Sequence, residues 1–181
     1  AALGPDEAAG PPSYSVFGAR DLFRWAVWGQ NTTAGASSWL PPQHLSAPAS
    51  PTTIVKRYPH FASGGRATAL LTWVDQEELP GPDARSDIRA RWYAPARAEW
   101  SETTIVAVAP TSREPRSGVG SSLSAAGNAV VAWQERFDEQ RQRLLASHYV
   151  PGTGWSAPQE IRVGTLSPRQ SAMDASGNAM I

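Results

Sequence analysis

The chain has 181 residues, long enough for a domain with a real core, and its 41% hydrophobic and 18% charged residues argue against disorder. Its 16 basic and 16 acidic residues cancel, so no basic field exists for phosphates or anionic lipid, and no apolar run approaches the ~20 residues of a membrane span. Cysteine is absent, which excludes disulfides and thiolate metal sites, while eight Trp, 15 Gly and 16 Pro spread along the chain fit many short strands separated by turns.

In chain order, residues 1–12 read as an irregular segment, and Ala1-Ala2-Leu3 fits either a processed signal peptide or an arbitrary start. Residues 13–54 read as a partial, divergent repeat unit. Within it, Asp21-Leu22-Phe23-Arg24-Trp25-Ala26-Val27-Trp28 aligns with the second or the third strand of later units. The third is preferred, because about one strand's length then separates it from Trp39. Residues 55–110 and 111–164 read as two whole units, and 165–181 as the start of another. By this register the chain breaks off early in a fourth unit, before the Trp that should follow Gly177-Asn178. Either the polypeptide continues beyond Ile181, which is preferred, or two copies pair to complete a ring.

The units are defined by two phrases that recur in the same order. Gly127-Asn128-Ala129-Val130-Val131-Ala132-Trp133 returns as Gly177-Asn178-Ala179-Met180-Ile181, and a looser copy runs from Gly65 to Trp73. Tyr149-Val150-Pro151-Gly152-Thr153-Gly154-Trp155-Ser156 has a relative in Tyr93-Ala94-Pro95 through Trp100-Ser101, and a third copy lies around Trp39. Such periodicity, at about 50 residues, is the mark of a repeat architecture.

Each unit reads as four strands. The first ends before the Ser-Gly-Asn turn. The second is the Ala-Val-Val-Ala-Trp run, apolar on both faces as a strand between two sheets must be. The third is Ile88–Tyr93 or Leu144–Tyr149, and the fourth runs from Trp-Ser to Ile105 or Ile161. Glu135–Leu145 has some helical spacing, but its mixed charges read better as the flank of a hairpin. The expected fold is all-β: a fragment of a β-propeller with four-stranded antiparallel blades, about three blades' worth of strands.

The phrases Asp174-Ala175-Ser176-Gly177-Asn178-Ala179, Val131-Ala132-Trp133-Gln134 and Tyr149–Ser156 resemble the repeats of secreted bacterial propeller proteins, related in style to the kelch and sialidase-like groups. The resemblance covers about residues 55–181. It implies a propeller and an extracellular or cell-envelope location, and it implies no particular activity, since such blades carry many functions.

Candidate sites are few. Trp39, Trp73, Trp100, Trp133 and Trp155 recur at equivalent positions, which favours packing. Trp92 is exchanged for His148 in the next unit while the neighbouring Tyr93 and Tyr149 persist, so Trp92, Arg91, Arg89 and His148 are the candidate ligand-binding residues. Asp75, Glu77, Glu78, Asp83 and Asp87 are close in sequence but lack calcium-loop spacing, and Pro80-Gly81-Pro82 indicates a solvated excursion. His44, His60 and His148 lack zinc spacing, and Ser121-Ser122 lacks a nucleophile elbow. Sialidase chemistry needs gathered arginines, and nothing in the sequence brings Arg57, Arg66, Arg89, Arg91 and Arg116 together. Asn31-Thr32-Thr33 is a glycosylation sequon with meaning only in a eukaryotic secretory host.

The expected function is a non-enzymatic extracellular or envelope scaffold that recognises a glycan or a protein, with no cofactor, no metal, no nucleic acid and no membrane insertion. The alternatives are a sialidase-like glycoside hydrolase or lyase completed by residues outside this chain, and a structural module of a larger surface protein.

Overall fold

The computed structural model describes residues 14–21, 24–31, 41, 43–46, 54–64, 68–77, 85–94, 99–108, 117–136, 138, 140–164 and 171–181. Among them every strand pairing is antiparallel and there is no helix. The chain is all-β.

Four sheets follow one another in chain order. The first contains β1 (Tyr14–Asp21), β2 (Arg24–Asn31) and β3 (Gln43–His44). The second contains β4 (Ile54–Ser63), β5 (Ala69–Glu77), β6 (Arg85–Ala94), β7 (Glu99–Trp100) and β8 (Thr104–Ala107). The third repeats that plan with β9 (Ser117–Leu123), β10 (Ala129–Arg136), β11 (Gln142–Val150), β12 (Gly154–Trp155) and β13 (Gln159–Gly164). The fourth is the hairpin β14 (Ala172–Met173) and β15 (Ala179–Met180). No sheet closes on itself among the described residues. Residues 1–12, Trp39 itself, and Arg66, Glu78, Pro80–Asp83 and Arg116 lie outside the described residues.

Two expectations about strands are corrected. Asp21–Trp28 is not one strand: Asp21 ends β1 and lies opposite Arg24, the first residue of β2. Both β1 and β2 carry apolar and aromatic residues at alternate positions, so the pattern alone could not locate the reversal between them. The fourth strand is likewise two pieces. β7 and β8 both pair with β6, and β12 and β13 both pair with β11, with a register shift in each. The break follows Trp100 and Trp155, where Ser101 and Ser156 turn side chain and backbone toward the third strand.

The expected hairpin flank is one: β10 and β11 pair from Arg136↔Gln142 to Ala129↔Tyr149. Its turn is tied by Asp138, whose carboxylate accepts from the Gln140 and Arg141 amides and from the Arg141 guanidinium.

Side chains alternate across each strand, so each sheet has two faces. From β5, Leu70 and Val74 face the third sheet and pack with Ala129, Val131 and Trp133 of β10, while Leu71 and Trp73 face the first sheet and pack with Leu45. From β10, Val130 and Ala132 face the other way and meet Met173 of β14. The sheets therefore stack in sequence, the Trp face of the second on the first and that of the third on the second, with the fourth against the far face of the third. Trp73 and Trp133 are both 0% exposed at equivalent positions.

The first hairpin of each unit lines up with the next. Gly127 and Gly177 sit at φ +87° and +88°, a region that L side chains avoid, and each closes a turn in which its N–H reaches back to residue 124 or 174. A Cβ on Gly64 would stand 2.7 Å from the Ser124 carbonyl, and one on Gly177 3.1 Å from Asn128 Nδ2. The turns are thus in contact from the second sheet to the fourth.

Candidate functional site

The seam between the second and third sheets brings together the aromatic residues of the candidate set. Trp92 leaves β6 toward the third sheet, where its ring lies 4.6 Å from that of Tyr149 and 6.2 Å from that of Trp155, centroid to centroid. Tyr149 and Trp155 are 5.2 Å apart and tilted. All three are half-buried and pack against the core. Tilted and offset contacts at these separations are the favoured geometries of aromatic pairs.

His148, the counterpart of Trp92, does not join this cluster. It lies on the face of the third sheet directed at the fourth, in register with Val130, and its Nε2 is buried without a hydrogen-bond partner among the described residues. Both positions are held by one backbone clasp. The amide of Trp92 donates to Ser101 Oγ and the Ser101 amide to the Trp92 carbonyl, at 3.0 and 2.7 Å; His148 and Ser156 repeat the pair at 3.0 and 2.7 Å. The side chain at this position varies because the clasp uses only backbone atoms of that residue.

Arg91 points the opposite way, toward the first sheet. Its guanidinium donates to three carbonyls: Ser101 and Leu45 at 2.6 Å and Trp100 at 3.4 Å. The Leu45 bond ties the second sheet to the first. Burial lowers the Arg91 pKa from its ordinary value, with the Glu102 charge opposing. Ser147 stands at the equivalent place in the next unit and donates to the matching carbonyl, that of Ser156, at 2.7 Å.

Arg89 sits in a charged row. It pairs with Asp87 at 3.1 Å and Asp75 at 3.4 Å, and Lys56 reaches Asp75 at 2.8 Å. Lys56, Asp75 and Asp87 are directly opposite one another across β4, β5 and β6. Two carboxylates side by side repel unless cations stand between them, and Lys56 and Arg89 supply those cations. Asp75 and Asp87 are therefore occupied by ion pairs, and no group of three His, Asp or Glu among the described residues is placed to hold a metal ion. The structure brings Trp92 to one face of the second sheet and Arg89 and Arg91 to the other, with His148 one sheet further on.

Sequence reasoning missed three devices. Trp73 Nε1 donates to Asp75 Oδ1 at 2.7 Å, and Trp133 Nε1 to Glu135 Oε1 at 3.0 Å. The signal was present as Trp-x-Asp and Trp-x-Glu, two residues apart and hence on one face of the strand. The Ser of the Trp-Ser phrase was visible, but not its clasp. The contact of His60 Nδ1 with Ser121 spans 61 positions and had no signal in the sequence.

No helix among the described residues is long and apolar enough to cross a membrane. No family model matches this chain, and no curated protein matches it.

Proposed function

We propose that this chain is part of a non-enzymatic β-propeller scaffold, extracellular or in the cell envelope, that binds a glycan through an aromatic surface at a seam between blades. The observation that carries the reading is the half-buried Trp92–Tyr149–Trp155 cluster, built from two adjacent repeat units. Flat aromatic faces suit the apolar faces of sugar rings. The propeller reading is supported by two equivalent five-stranded sheets stacked Trp face to opposite face, with β4 and β9 at corresponding edges. A closed ring of this kind takes about 4–8 blades.

The test is a glycan array on the intact protein, followed by titration calorimetry with any hit for wild type and Trp92→Ala. Binding that Trp92→Ala weakens at least about tenfold, while folding is retained, supports the reading. Hydrolysis or elimination of any glycoside by the protein would replace it with the sialidase-like alternative. A protein ligand captured without glycan binding would keep the scaffold and discard the sugar.

A further inference from the structure

We propose that His60 is a pH-sensitive clasp between the second and third sheets, which holds the edge strands β4 and β9 together while its ring is neutral and releases them when the ring is protonated. β4 and β9 are each the first strand of their sheet and lie at its edge, adjoining one another. An edge strand carries backbone N–H groups without a ladder partner. One of them, the amide of Ser121, points across the seam to His60 Nδ1 at 3.2 Å, and the Ser121 hydroxyl lies 2.8 Å from the same nitrogen. An amide N–H can only donate, so Nδ1 is the unprotonated acceptor and the proton of the neutral ring is on Nε2. Thr72 completes the group, with its hydroxyl 3.4 Å from Ser121 Oγ and from the His60 carbonyl.

Protonation puts a hydrogen on Nδ1. The Ser121 hydroxyl can rotate to accept it, but the amide cannot, and two N–H groups then face each other. The edge amide loses its partner across the seam, in a place where water is largely excluded.

Among the described side chains, no carboxylate bonds to the His60 ring. On β4 the charged groups are Lys56 and Arg57, and Lys56 is held by Asp75. On β5, Asp75 is bound to Trp73, Lys56 and Arg89; Glu77 pairs with Ile54 at the far end of the strand. β9 carries no charged residue, and behind it Glu135 of β10 is engaged by Trp133 and Arg143. β1 and β2, which also adjoin β4, carry Arg20, Asp21 and Arg24. Among the described side chains the His60 ring bonds to Ser121 and to no charged group, and burial is the cause that lowers its pKa from the ordinary 6.5.

The sign follows. Above 6.5 the ring is neutral whether the chain is folded or not, and the clasp contributes fully. As pH falls below that value the unfolded ring takes up a proton that the folded one resists, and the contribution drains away until the folded pKa is passed. The same seam carries Trp92, Tyr149 and Trp155, so acid loosens the aromatic surface as well; that consequence alone rests on the glycan reading above.

The experiment is an NMR titration of the labelled intact protein from about pH 8 to about pH 4.5, following the His60 ring and the protection of the Ser121 amide against exchange. The expected result is a His60 midpoint below 6.5 and a loss of Ser121 protection, corrected for intrinsic exchange, of about tenfold or more with the same midpoint. His60→Gln offers a carbonyl oxygen that accepts from the amide and does not titrate, so its Ser121 protection should be independent of pH. If that variant fails to fold, the wild-type titration decides alone. His60 titrating with no response at Ser121, or an unchanged pH response in His60→Gln, overturns the proposal. Either result leaves glycan binding at neutral pH untouched.

Discussion

Trp133 and Glu135 are joined by a 3.0 Å hydrogen bond from the indole Nε1 to the carboxylate, and Trp73 and Asp75 repeat the bond at 2.7 Å in the preceding unit. Both indoles are fully buried, and a buried N–H without an acceptor is costly. The carboxylate two residues on meets that need, and a cation on a neighbouring strand then meets the carboxylate: Arg143 for Glu135 at 2.7 Å, Lys56 and Arg89 for Asp75. The repeat thus carries its largest core side chain together with the polar chain that makes its burial tolerable.

Replacing Trp133 or Trp73 with Ala should cost about 3–5 kcal/mol in urea unfolding, because each fills the space between two sheets. Trp133→Phe keeps most of the volume and removes the donor. It should cost less, about 1–3 kcal/mol, and a double-mutant cycle with Glu135→Ala, which removes the acceptor, should show coupling. Additive effects in that cycle would show that the bond contributes nothing.

The Ser clasps should behave alike in the two units. Ser101→Ala removes the acceptor of the Trp92 amide, and Ser156→Ala that of the His148 amide. Each should lower stability by about 0.5–1.5 kcal/mol by thermal unfolding. A large effect in one and none in the other would break the equivalence of the units.

Glycines separate local strain from sheet contact. Gly152 has φ +82° and open space around it, so Gly152→Ala should cost only the backbone term, about 1–2 kcal/mol. Gly64 has no such strain, but its added Cβ meets the Ser124 carbonyl, which belongs to the next sheet. Gly64→Ala should cost about 1–3 kcal/mol and speed amide exchange at the 124–128 turn, which Gly152→Ala should leave alone.

Asp174 organises the β14–β15 hairpin. Its carboxylate accepts from the Asn178 side chain at 2.8 Å and from the Ser176 and Asn178 amides at 2.9 Å. The Asn178 side-chain bond is the largest cause of a pKa below the ordinary 3.8, with the backbone amides adding to it. A lowered carboxylate pKa means that the hairpin has this support above 3.8 and loses it as pH falls through the folded value. Carbon-detected titration should find Asp174 ionising below an unstructured aspartate, with the Asn178 amide shift moving in step. Asp174→Ser, which copies Ser124 of the preceding turn, should keep the turn and remove the titration.

Much of this architecture was legible before any coordinates. The recurring Gly-Asn and Trp-Ser phrases, the doubly apolar Ala-Val-Val-Ala-Trp run and the turn residues established an all-β chain of repeat units, because alternation, turn chemistry and buried strands are encoded within about ten consecutive residues. The burial of Trp73 and Trp133 followed from the same periodicity. What the tertiary structure decided was everything that depends on which face meets which sheet. Trp92 was singled out because its position varies; stacking placed it against Tyr149 and Trp155, sent Arg91 to the first sheet and Arg89 into ion pairs, and left His148 facing the fourth. The reversal between Asp21 and Arg24 depended on pairing that two equally strand-like segments could not announce. His60 met Ser121 only because two edge strands from different units came to lie side by side. Such contacts are set by the register of one sheet on another, a property of the assembled layers that no short stretch of the chain contains.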